Sequence, residues 1–321
     1  MTQTKKTLLK GGSLAGTFLI KTDKELFVRK EISLISEREY GYQRWYSQLK
    51  RLQRYELLFP SIFAKVIRYG VTEDKAFFDL KYYSGYHNCW SYLMDCTDNE
   101  EIKYIFQSII EALNIIHSKR LPSCKEALEL YYEEEVKKKI NDCLTDKDFL
   151  DYYNRSEILF HGKLIPSLSS MLNDYKEFGT ENYTTPMECY THGNITLENI
   201  LYSPEKRKVI FIDPYEENII DNIYNEYSQL LQSCNSHYEI YNEWGNGTDY
   251  IPYTPHGIKY FNELFFNFMK DNLSDEEIKI VKFFEVSQFI RMLPFKLKGD
   301  RKKMFMFYGL ASHLTSKLLS R

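Results

Sequence analysis

The sequence predicts an α+β chain in two lobes, a small antiparallel sheet at the amino end followed by a larger, mainly helical lobe. Three observations carry that expectation. Residues before about 84 read as short β runs broken by glycine and polar turns, with one helix among them. After Gly85, apolar residues recur at spacings of three and four instead. At 321 residues the chain is also long enough for two lobes and a sizeable core. The expected boundary, near residues 83–85, divides it into a lobe of residues 1–84 and a lobe of residues 85–321.

Strands are expected at residues 7–9, 17–20 and 26–30. Gly11-Gly12-Ser13 with Gly16 separates the first two, and the polar turn Thr22-Asp23-Lys24 separates the next pair. Over residues 36–58, Tyr42, Trp45, Tyr46, Leu49 and Leu52 fall at helical spacing, and Pro60 ends the pattern. Two more strands, 64–69 and 76–82, flank a turn at Gly70, which makes a five-stranded sheet. In the second lobe Ile102, Ile105, Phe106, Ile109, Leu113 and Ile116 mark a helix, with Asp98 as N-cap and Glu101 completing a capping box. Residues 125–174 read as mostly helical, with the runs Glu133-Glu134-Glu135 and Lys137-Lys138-Lys139 on a solvated face. An apolar strand at 209–212 ends in Asp213-Pro214, and 223–231, 260–269, 275–293 and 303–319 read as helices.

Composition narrows the function classes. Lys plus Arg number 42 against 45 Asp plus Glu, a net charge of −3, so no broad basic surface is implied and nucleic acid is not an expected partner. The 27 Tyr and 21 Phe are chiefly core packing, with some left to line a pocket. Six cysteines lie far apart with no C-x-x-C pair, which fits reduced thiols in a cytoplasmic protein rather than zinc or a disulfide framework. Lys5 and Lys6 precede Leu8 and Leu9 in imitation of a signal peptide, but Lys10 interrupts the apolar stretch short of the roughly 7–15 residues that secretion needs. No run approaches the roughly 18 apolar residues of a membrane span. A cytoplasmic monomer or homodimer is expected.

The strongest motif is His192-Gly193-Asn194-Ile195-Thr196-Leu197-Glu198-Asn199-Ile200-Leu201, with Asp213 at the end of the apolar strand that follows. This window resembles the catalytic loop of the aminoglycoside phosphotransferase and choline kinase superfamily, where H-G-D-x-x-x-x-N precedes a strand ending in I-D. Bacterial capsule and cell-envelope small-molecule phosphotransferases look most similar. The resemblance covers most of the chain in element order, while the specific matches sit in short windows. It implies a bilobal, protein-kinase-like fold and transfer of a phosphoryl group from ATP or GTP, with Mg2+, to a small-molecule hydroxyl such as that of a sugar or amino alcohol. By the same resemblance Asn199 and Asp213 would be the metal ligands, their oxygens suiting a hard cation. His192 is expected to brace the loop by hydrogen bonds, and Asp221 matches a structural aspartate. Read without the resemblance, Asn199 is a loop-capping amide and Asp213 an Asx turn before Pro214.

One departure bears on activity: Asn194 stands where the superfamily has its catalytic Asp. An amide oxygen can accept a hydrogen bond and orient a hydroxyl, but it cannot take up a proton or supply negative charge. A pseudokinase serving as nucleotide-binding scaffold or sensor, a slow enzyme relying on positioning, and an Asp→Asn change introduced to trap a complex all fit. A protein kinase proper is disfavoured, since neither an H-R-D loop nor a D-F-G and A-P-E pair is found.

The first lobe supplies the nucleotide half. The backbone amides of Gly11, Gly12, Ser13 and Gly16 and the Ser13 hydroxyl could cover phosphates, and a plain hairpin turn would explain the same glycines. The strand period of two puts Val28 and Lys30 on one face, Val28 toward an adenine and Lys30 toward phosphate, with Arg29 as the alternate. Such a lysine usually needs a carboxylate from the following helix. Glu37 and Glu39 cannot both serve, and Glu39 is preferred because Gln43 and Tyr46 continue its face toward the interior. For the acceptor, Tyr238, Tyr241, Trp244, Tyr250 and Tyr253 with Glu239, Glu243 and Asp249 could hold a cation or a sugar, or could be packed aromatics around a surface turn.

Overall fold

The computed structural model describes residues 5–9, 15–36, 39–124, 126–184, 187–215, 218–245, 247–248 and 252–320. The chain forms two compact units, Met1–Cys89 with His192–Ile195 and Asn199–Asn218, and Trp90–Thr191 with Thr196–Glu198 and Ile219–Arg321. The unit that holds the amino-terminal sheet therefore also takes in part of the H-G-N loop and the strands after it.

In the first unit β1 (Lys5–Leu8), β2 (Gly16–Lys21), β3 (Leu26–Ser33), β4 (Val66–Val71) and β5 (Lys75–Lys81) form an antiparallel sheet in the order β1-β2-β3-β5-β4. Alternation sets its two faces. Val28, Lys30 and Ile32 of β3 stand opposite Leu80, Phe78 and Ala76 of β5. This face packs on α1 (Tyr40–Leu58), whose Trp45, Leu49 and Leu52 join Ile32, Phe78 and Leu80 in one core cluster. On the other face Asp79, fully buried, accepts two hydrogen bonds from Arg29, 2.7 and 2.8 Å long, and another ion pair from Arg68. The Arg29 guanidinium is thereby committed to the face away from Lys30.

After β6 (His87–Asn88) the chain runs through α2 (Cys89–Asp95), α3 (Asn99–His117) and α4 (Ala127–Tyr131). A wider π turn over Tyr132–Lys137 leads into α5 (Lys138–Leu144) and α6 (Lys147–Tyr153). Asp98 caps α3 as expected, accepting from the Glu100 amide at 2.9 Å. The charge runs make exposed ion pairs, Lys137 with Glu133 and Lys138 with Glu134, but Glu135 turns inward to Arg291. The expectation of helix through residue 174 fails at β7 (Glu157–Phe160) and β8 (Lys163–Pro166), an antiparallel hairpin. His161 and Gly162 form its turn with φ of 51° and 71°, the left-handed pair that a two-residue hairpin needs.

Helix α7 (Leu168–Asn182) follows, and then β9 (Ile200–Ser203) and β10 (Lys208–Phe211) form a small sheet with β6 in the order β10-β9-β6. The remaining helices are α8 (Ile223–Cys234), α9 (Tyr238–Trp244), α10 (His256–Asn272), α11 (Asp275–Gly299) and α12 (Arg301–Leu319). Helix α8 is buried along nearly its whole length, and its polar groups are matched inside: Gln288 donates to Asn225 at 2.9 Å and to Ser228 at 3.1 Å. A full capping box closes at Ser274 and Glu277, where α11 begins. Among the described residues no helix is long and apolar enough to cross a membrane.

Candidate functional site

Asp213, two residues past β10, gathers side chains from distant parts of the first unit. Lys30 of β3, only 6% exposed, forms an ion pair with its Oδ1. From α1, Gln48 donates through Nε2 to the same carboxylate at 2.6 Å and to the Pro214 carbonyl at 3.0 Å. Asp213 itself lies in the left-handed region with φ of 57°, a conformation that aspartate tolerates better than most residues and that tends to accumulate at functional sites. Burial pushes its carboxyl up, but the Lys30 charge and the hydrogen bonds from Lys30 and Gln48 outweigh that and hold it below the usual aspartate value. It is therefore an anion at neutral pH.

The H-G-N loop is held by its own backbone. His192 is fully buried; its Nε2 lies 2.8 Å from the Ile212 carbonyl, and its Nδ1 accepts from the Asn194 amide at 3.1 Å. Only the neutral ring with hydrogen on Nε2 satisfies both contacts. Burial accordingly pushes the imidazole down to about 3. The ring stacks on Phe63, with centroids 5.9 Å apart, and meets Phe211 edge-on. Gly193 has φ of 78°, which strains any residue with a Cβ, and a Cβ there would also crowd the Asn218 side-chain amide. Asn199 Nδ2 donates to the Asn194 carbonyl at 2.8 Å, which makes Oδ1 the atom of Asn199 able to ligate a cation. The Asn199 carbonyl accepts from Ile212 at 2.9 Å and so ties the loop to the residue before Asp213. In the second unit Asp221 accepts from the Thr191 hydroxyl through its side chain and from the Cys189 amide through its carbonyl, bracing the segment that enters the loop.

The other expected residues fall unevenly. Gly11, Gly12, Ser13 and Glu37 lie outside the described residues, and Gly16 is the first residue of β2. Val28 is half-buried against the α1 core on the same face as Lys30. Glu39 does not meet Lys30: it stands exposed at the start of α1, and Gln43 and Tyr46, taken to continue its face inward, are exposed as well. The inward stripe of α1 is Trp45, Gln48, Leu49, Leu52 and Tyr55. Gln48 was thus the residue missed, and its signal was a lone amide on an apolar stripe. The aromatic cluster at 238–253 is dispersed: Tyr238 and Tyr241 are buried, Trp244 and Tyr253 are exposed, and Asp249 and Tyr250 lie outside the described residues.

The fold that carries the Lys30–Asp213 pair is found in known structures. Solved structures similar to this one include a protein assigned as a fructosamine-3-kinase from Haemophilus somnus 129PT. That match has TM-score 0.59 and 11% identity, and covers 100% of this chain and 92% of the other. An aminoglycoside-3'-phosphotransferase of type VIII aligns with TM-score 0.51 and 13% identity, covering 88% of this chain and 93% of the other. The chain has the protein-kinase-like fold. No protein-family model matches the sequence, and no curated protein does either. At such identities the shared property is the fold, and the site must be argued from its own residues.

Asp213 and Asn199 offer hard oxygen donors, one of them charged, and this set fits Mg2+. Among the described residues no group of three His, Cys, Asp or Glu could hold a metal. A magnesium ion held partly by phosphates needs only one or two carboxylates from the protein.

Proposed function

We propose that the chain is a small-molecule phosphotransferase, passing the terminal phosphoryl group of ATP or GTP to a hydroxyl such as that of a sugar or amino alcohol. The observation that carries this reading is the meeting of Lys30, Gln48 and Asp213 from β3, α1 and the end of β10. Lys30 would give its charge to the nucleotide phosphates and Asp213 and Asn199 would hold Mg2+, which when bound neutralises charge on the transferring group. His192, neutral and hydrogen-bonded at both nitrogens, keeps the loop in shape and moves no proton. Asn194, half-buried, would accept the acceptor's hydroxyl hydrogen bond through Oδ1 and orient it for attack. Because an amide does not take up that proton, the present sequence would turn over slowly. The nucleotide lobe would be residues 1–84 with the catalytic and acceptor residues in 85–321, in a cytoplasmic monomer or homodimer.

A second reading, a nucleotide-binding pseudokinase acting as scaffold or sensor, draws on the amide at position 194, where the superfamily that the loop resembles has a carboxylate. The variant Asn194→Asp separates the two. On the enzyme reading it raises phosphoryl transfer by on the order of 10²–10⁴ with nucleotide affinity nearly unchanged, because the side chain addresses the acceptor and not the phosphates. An Asp variant that binds ATP yet stays inert across sugars, amino alcohols and aminoglycosides would establish the pseudokinase. If thermal-shift measurements show no stabilisation by ATP or GTP with magnesium, both readings fail.

A further inference from the structure

Within the second unit two lysines converge on one residue. Lys296 of α11 donates through Nζ to the Asn242 side-chain carbonyl, and Lys303 of α12 donates to the Asn242 main-chain carbonyl. Both acceptors are neutral. Among the described residues neither ammonium has a carboxylate at ion-pair distance, whereas Arg291 reaches Glu135 at 2.8 Å and Arg301 reaches Asp146 and Asp148. Phe307 lies 5.0 Å and Tyr238 6.0 Å from the Lys296 ammonium, so rings shield it from water. Burial first, and the charge of Lys303 second, pull Lys296 down to about 8.

Two acids, Glu198 and Asp300, act on Lys296 from a distance, and neither stands at ion-pair distance from it. Asp300 caps α12, accepting from the amides of Lys302 at 3.0 Å and Lys303 at 3.3 Å. Glu239, pushed up to about 8 by burial and by Glu198, is largely uncharged at pH 7. Two close ammonium groups with neutral partners in a partly dehydrated site are unfavourable alone and become favourable once an anion bridges them. Glu239 is held in the same unit by Ser233, which donates to it at 2.7 Å and accepts from the Leu197 amide at 3.0 Å.

We propose that Lys296 and Lys303, gathered on Asn242, bind an anionic group, a phosphate or a carboxylate.

Inorganic phosphate and acetate, titrated separately into the nucleotide-free protein and followed by NMR, test the site and distinguish its two sources. Saturable binding of at least one anion is expected, weakened about tenfold or more in Lys296→Met and in Lys303→Met and retained in Lys302→Met, whose lysine is exposed. On the unmutated protein the bound anion should protect Lys296 from acetylation relative to Lys302, a readout that does not depend on any variant folding. No saturable binding of either anion, or no protection of Lys296, overturns the site. Nucleotide binding measured by thermal shift is independent of these results, so loss of the anion site leaves the phosphotransferase reading standing.

Discussion

Replacing Lys30 by methionine should reverse the direction in which Asp213 is perturbed. Burial is the largest influence on that carboxyl and acts upward; the Lys30 charge and hydrogen bond, with the Gln48 hydrogen bond, bring the net below the ordinary value. Without Lys30, burial is opposed mainly by Gln48, and the carboxyl should rise above the ordinary aspartate value. The stability consequence follows from linkage. In the unmodified chain the folded carboxyl is depressed, so its contribution is complete above the ordinary aspartate range and is lost as pH falls below it. In Lys30→Met the folded carboxyl is raised, so stability is instead lost as pH climbs from about 4 through the raised value. Removing one partner of a fully buried pair costs about 3–5 kcal/mol. Asp213 keeps 35% of its side chain exposed, so water screens part of that charge and about 2 kcal/mol is the reasonable expectation at pH 7. Urea unfolding of both proteins at pH 4, 5.5 and 7 measures it, and the gap between them should widen with pH. A gap that stays constant, or a carboxyl carbon of Asp213 that still titrates below the ordinary range in the variant, would refute the reasoning.

Other perturbations probe the same unit. Gln48→Leu removes a charge-assisted hydrogen bond and strands the Pro214 carbonyl, which should cost about 2–3 kcal/mol in urea; a loss below about 0.5 kcal/mol would show that Gln48 does not hold Asp213. Gly193→Ala forces a side chain into left-handed backbone, about 1–2 kcal/mol, and against Asn218, so a total loss of about 2–4 kcal/mol is expected by the same measurement. His192 should remain neutral from pH 8 to pH 5 by NMR. Because its folded value is depressed to about 3, its contribution is complete above the ordinary histidine range and falls by about 2 kcal/mol by pH 5. An imidazole that titrates near 6.5 would contradict that.

The five strands and α1 were legible because period two and period 3.6 are strong signals over the lengths involved. Asp213 and the H-G-N loop were legible as a motif, and the strand period alone puts Val28 and Lys30 on one face. Four things were not. The β7–β8 hairpin has strands of four residues each, turning through His161-Gly162 instead of the usual Asn-Gly, too little alternation to stand out in a helical stretch. Strand β6 has two residues and is defined only by pairing with β9, over a hundred residues away. Glu39 was chosen between Glu37 and Glu39, and Gln48 was overlooked because a lysine seemed to need a carboxylate, although Trp45, Leu49 and Leu52 already marked which side of the helix faced in. Lys296 and Lys303 could not be paired from the sequence at all, since only tertiary packing brings them to Asn242.

The amide at position 48 has a consequence for how ligands would enter. A glutamate there would divide the Lys30 charge between two carboxylates; glutamine leaves Asp213 as the anion that Lys30 meets and donates a hydrogen bond to the same oxygen. Lys30 and Asp213 are thus each other's partner before any ligand arrives. On the phosphotransferase reading, nucleotide must draw Lys30 onto a phosphate, which would leave Asp213 a partly buried carboxylate without its cation. Magnesium alone would have to take Asp213 and strand the Lys30 ammonium, 6% exposed, without its anion. Either ligand by itself breaks one ion pair and makes one, while the two together break one and make two. Nucleotide and magnesium should therefore bind with positive coupling, each tightening the other by the same factor. Lys30→Met should reduce that coupling, because Asp213 is then free of the lysine whichever ligand comes first. Calorimetric titration of ATP with and without magnesium, in both proteins, measures the factor directly, and equal coupling in the two would show that the Lys30–Asp213 pair is not what links the ligands.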